Sequence, residues 1–104
     1  MNKYTELSDF EINKAVFHKA KTKYKYFRFL PNGVITYNIK GKYKVFDPCN
    51  NPADAMQIII ENGISMVRVN NTWSARQFNN HCIETNGDNY YRIAMEVYLL
   101  MNEK

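Results

Sequence analysis

The decapeptide FDPCNNPADA at residues 46–55 gathers reactive groups densely: carboxyls at Asp47 and Asp54, a thiol at Cys49 and amides at Asn50 and Asn51, interrupted by two prolines. Three kinds of chemistry suit those residue types. A thiol at the start of a helix can be held as a thiolate nucleophile. Two carboxyls can divide acid–base work. Amides together with the open N–H groups of a helix start can cradle an anion. Each has a plainer rival. A nucleophilic Cys49 needs a base, and local spacing places neither histidine, His18 nor His81, beside it. Asp54 suits the first turn of a helix, and Asp47 can bond the backbone of its own turn. The adjacent His81-Cys82 pair and the absence of any C-x-x-C give no zinc-ligand spacing. The stretch therefore reads first as a helix start. Asp47, Cys49, Asn50 and Asn51 are kept as candidate ligand or partner contacts, with no catalytic residue, metal or cofactor assigned.

A second candidate surface is the aromatic and basic interleaving KTKYKYFRF at 21–29. Exposed rings there can stack bases while lysine and arginine neutralise phosphates, so Tyr24, Lys25, Tyr26, Arg28, Lys42 and Lys44 form a candidate patch for nucleic acid or another acidic partner. The rival reading is a strand whose aromatics face a core and whose lysines guard an edge. Trp73, the only tryptophan, and Arg76 are candidate partner contacts, but three positions apart on a strand they fall on opposite faces. The net charge of +4 is unevenly spread: residues 1–44 balance to +7 and the remainder to −3. Such asymmetry draws an acidic partner toward one region.

The elements that must position these groups follow from periodicity. LSDFEI supplies a capping box, Ser8 with Glu11, and predicts a helix to about Ala20 whose apolar surface is Phe10, Ile12, Ala15, Val16 and Phe17. YKYFRFL, VITYNI and YKVF alternate with period two around PNG and Gly41, which predicts three antiparallel strands. Asn51 as cap and Pro52 in the first turn predict a helix over 52–62, stopped at Gly63, with Met56, Ile59 and Ile60 as its buried stripe. ISMVRV and WSARQF around an Asn-Asn turn predict a second hairpin, CIET a further strand, and YYRIAMEVYLLMNE a closing helix.

The order α-β-β-β-α-β-β-(β)-α defines an α+β fold. We expect one mainly antiparallel sheet of five to six strands, three helices packed on it, and a single domain over 1–104. A three-layer α/β/α sandwich is compatible with that order. No apolar run reaches the ~20 residues of a membrane-spanning helix and no secretory leader is evident, so a soluble intracellular protein with free thiols is expected.

Three segments, LSDFEINKAV, FDPCNNPADAMQIIIENGISMV and RIAMEVYLLMNE, together resemble the NinX-type family of small phage proteins, whose plan is similar to a phage ABA-sandwich domain of helix layers enclosing a sheet. The resemblance maps onto Phe46, Asp47, Pro48, Cys49, Asn50, Asn51, Pro52, Ala53 and Asp54, and also onto Trp73 and Arg92. It does not reach the basic first hairpin. It implies a phage accessory protein in the host bacterial cytoplasm, without implying an enzymatic mechanism; from the class of small phage proteins, the expectation is binding of a host protein or nucleotide ligand, for instance to inhibit an anti-phage defence system. The residues keep two alternatives open: a nucleic-acid-binding module on the first hairpin, and a small-ligand site at the start of the 52–62 helix.

Overall fold

The computed structural model describes residues 3–20, 27–77 and 83–102. Helix α1 spans Asp9–Ala20, strands β1, β2 and β3 span Phe27–Phe29, Ile35–Ile39 and Lys42–Phe46, and helix α2 spans Pro52–Glu61. Strands β4, β5 and β6 span Ser65–Val69, Thr72–Gln77 and Ile83–Gly87, and helix α3 spans Tyr90–Met101. The chain is α+β in the expected order. Its strands, however, form two antiparallel sheets, β1-β2-β3 and β4-β5-β6, where one was expected. Within each block the described strands pair with their sequence neighbours, and no strand of one block pairs with a described strand of the other.

Local chemistry fixes the helix ends. Ser8 Oγ accepts from the Glu11 N–H and the Ser8 N–H donates to Glu11 Oε1, both near 3 Å, which is a capping box. The Ser8 N–H and, at 3.1 Å, the Ser8 hydroxyl both donate to Glu11 Oε1 and hold that carboxyl below its usual range. Asn51 Oδ1 accepts from the Ala53 N–H at 2.9 Å, and Pro52 opens α2 without forfeiting a helical bond. At its other end the Ile64 N–H reaches the Ile59 carbonyl and the Gly63 N–H the Ile60 carbonyl, the Schellman pattern, with Gly63 at φ 62°. Asn70 and Asn71 take φ 48° and 68° in the two-residue turn joining β4 to β5.

The core gathers around α3, which packs against β5 and β6 and against α1 and α2. A helix in that position needs apolar character all round, and Ile93 through Leu99 are all buried. In α2 the buried positions are Asp54, Ala55, Ile58 and Ile59, whereas Ile60, expected in the stripe, is 71% exposed. In α1 Phe10 is 38% exposed, whereas Asn13 is buried among Ile12, Val16 and Phe17. Phe17 joins α1 to the first sheet through tilted and edge-on contacts with Phe27, Phe29 and Phe46.

Candidate functional site

The decapeptide leaves β3, turns through Asp47–Asn50 and enters α2, and nearly every polar group along it is tied to the scaffold. Asn13 of α1 donates from Nδ2 to Asp47 Oδ1 at 2.7 Å and accepts the Cys49 N–H on Oδ1 at 3.1 Å. Asn50 Nδ2 lies 3.2 Å from both Asp9 Oδ2 and Asp47 Oδ1. The Asp47 and Asn50 side chains thus join the turn to α1. Asp54 reaches back from the first turn of α2 to accept the Asp47 N–H at 2.9 Å and stands 3.4 Å from the Tyr37 hydroxyl. Burial pushes the Asp54 carboxyl up, against the lowering pull of those two bonds, and burial beside Asp54 raises the Tyr37 hydroxyl.

Cys49 is fully buried, its Sγ 3.8 Å from the Asp9 carbonyl, and desolvation drives its thiol far above the usual range. A thiol so placed is a small core side chain with little thiolate to attack with. The anion cradle fares no better. Asp54 occupies the start of α2 with a carboxylate of its own, and Asp9 and Asp47 line the adjoining cleft. That cleft, about 220 Å³, lies between the start of α1 and the end of the first sheet, with Phe10, Val34 and Val45 as its apolar wall. Its carboxylates would repel a phosphate.

The residue that binds this assembly together is Arg92 of α3. Its Nη1 meets Asp9 Oδ1 at 2.6 Å and its Nε meets Glu96 Oε2 at 2.8 Å, with its side chain 13% exposed. Nη2 donates to the Tyr4 and Leu7 carbonyls at 2.9 and 2.7 Å. Burial alone would lower the guanidinium's pKa; the bonds to Asp9 and Glu96 outweigh it and raise the value. Spacing alone gave Arg92, Asp9, Asn13 and Glu96 no role. Two signals were available: Arg92 and Glu96 stand four apart on one helix face, and Asn13 is a polar residue within an apolar stripe.

The remaining candidates scatter. Tyr24, Lys25, Tyr26, His81 and Cys82 lie outside the described residues. In the first sheet Arg28 registers with Thr36 and Val45, whereas Lys44 registers with Tyr37 and Lys42 with Ile39. Directly paired residues share a face, so Arg28 stands on one side of the sheet and the two lysines on the other. Arg28 instead stacks on Tyr43, 4.4 Å from its ring. Trp73 is half-buried edge-on against Tyr90, with Arg68 over its ring at 5.0 Å. Arg76, on the opposite face as expected, bonds Ser74 and lies 3.6 Å from Glu84. Among the described residues no group of three or more His, Cys, Asp or Glu side chains is arranged for a metal ion, and no helix is long and apolar enough to cross a membrane.

Fold and site together define a small α+β domain of three helices and two antiparallel sheets, with a hydrogen-bonded turn clamped by a nearly buried arginine. The chain belongs to the bacteriophage P22 NinX family, whose model matches residues 3–102. No curated protein and no solved structure matches it.

Proposed function

We propose that this phage protein acts by binding, as a non-catalytic accessory factor that blocks a host protein, with a component of an anti-phage defence system as the target. One observation carries the reading. The decapeptide's reactive groups are committed to the fold, Cys49 by burial and Asp47, Asn50, Asn51 and Asp54 by hydrogen bonds, while the first sheet keeps Arg28, Lys42, Tyr43, Lys44 and Val45 exposed. Blocking a protein is favoured over holding a nucleotide signal, because the cleft beside the turn is lined by carboxylates. A nucleic-acid surface gains little from Arg28 and the lysines facing opposite ways.

The test is affinity capture of the tagged protein from a bacterial host at low salt, followed by native mass spectrometry. The expected result is one host protein in stoichiometric complex. Recovery of a nucleotide or an oligonucleotide in its place, or of no partner, overturns the reading.

A further inference from the structure

Strand β3 ends its sheet, pairing with β2 on one side only among the described residues. Its ladder can be read from the turn. Ile39 and Lys42 flank the two-residue loop Lys40-Gly41, and such a flanking pair exchanges both backbone bonds. Bonded and non-bonded pairs then alternate along an antiparallel ladder. Lys42, Lys44 and Phe46 therefore bond inward to β2, while the N–H and C=O groups of Tyr43 and Val45 point out from the sheet.

That edge is open and chemically sorted. Lys42 through Val45 are all exposed, Tyr43 at 47% and Val45 at 52%. Alternation puts Lys42 and Lys44 on one face and Tyr43 and Val45 on the other, the Tyr43 ring steadied by Arg28.

We infer that the β3 edge accepts an extended acidic segment of a partner protein as a fourth antiparallel strand, with acidic side chains opposite Lys42 and Lys44 and apolar ones opposite Tyr43 and Val45. This rests on the binding reading and names the surface that performs it. Charge selects the occupant. A second copy of this chain would lay lysines against lysines, which is the device by which edge strands refuse each other. The same lysines favour an acidic strand, whose backbone supplies affinity and whose alternate side chains supply specificity. Asp54, which interacts electrostatically with Lys44, leaves Lys42 as the less compensated of the two.

The probe is a fluorescein-labelled octapeptide of alternating Glu and Val, titrated with the protein by fluorescence anisotropy. It should bind more tightly than the alternating Lys and Val peptide and weaken with salt. The double variant Lys42→Glu/Lys44→Glu, with folding verified by circular dichroism, should lose about ten-fold in affinity, since two cross-strand attractions become repulsions. N-methylation of every second residue of the Glu–Val peptide should abolish binding in one register and spare it in the other. Equal binding of the Glu and Lys peptides, indifference to the N-methyl register, self-association through β3, or tighter binding of a single-stranded oligonucleotide overturns the inference. A captured host protein whose retention ignores the double variant also overturns it, leaving the binding reading intact. Peptide binding with no captured partner supports the edge and counts against the host-target reading.

Discussion

Removing the guanidinium of Arg92 would leave Glu96, 5% exposed, without the cation 2.8 Å away, and would release the Tyr4 and Leu7 carbonyls. Breaking a buried pair from one side costs more than deleting both members, because the surviving charge stays desolvated. Arg92→Met should therefore lower unfolding free energy by about 3–5 kcal/mol, and adding Glu96→Leu should restore part of that loss. Urea denaturation of the two variants decides the matter, and a single variant as stable as the double would show that the clamp contributes little. Asp9 in the same cluster keeps 43% side-chain exposure, so water can take over its share. The cluster was only partly legible. Asp47, Asn50 and Asn51 stand out because their types crowd one turn, whereas Asp9, Asn13 and Arg92 are separated by up to 83 residues and meet only through folding. No local spacing encodes such a meeting.

At the scale of elements, the ends were more legible than the faces. Ser8 with Glu11, Asn51 with Pro52, Gly63, and Asn70 with Asn71 all occupy the caps and turns their chemistry predicts, since each satisfies backbone groups within a few residues. The faces depend on what lies opposite. Three consecutive isoleucines, Ile58, Ile59 and Ile60, carry no phase of their own, and packing against α3 buries the first two while leaving Ile60 outside. Close packing is also recorded at Gly87, opposite Trp73 in the second sheet, where an added Cβ would stand 2.8 Å from Ile93 Cγ2. Gly87→Ala should destabilise the protein by about 1–3 kcal/mol through overpacking, read as a lower denaturation midpoint at unchanged slope. A fully tolerated alanine would mean that α3 can shift away from β6.

The whole molecule measures 42 × 25 × 24 Å, with α3 packed on the second sheet and on the other two helices, and α1 joined to the first sheet through Phe17. Two sheets were not legible because alternation within a strand is the same whichever neighbour it pairs with, and both hairpins satisfy themselves locally. Their union lies in α3, which packs on β5 and β6 and on the helices that adjoin the first sheet. The two halves should consequently unfold together. Trp73 fluorescence reports the second sheet through its contact with Tyr90, and far-ultraviolet circular dichroism reports all elements, so the two denaturation curves should coincide. Separate midpoints would show that each sheet is a folding unit in its own right.

The position of α3 has a consequence during synthesis. It is made after every other described element, yet its side chains complete the interior for the helices and strands that precede it. Until it emerges, those segments carry the apolar surfaces that α3 will cover, which exposes the nascent chain to aggregation. A premature stop ahead of Tyr90 would yield an aggregation-prone fragment in place of a shorter working domain.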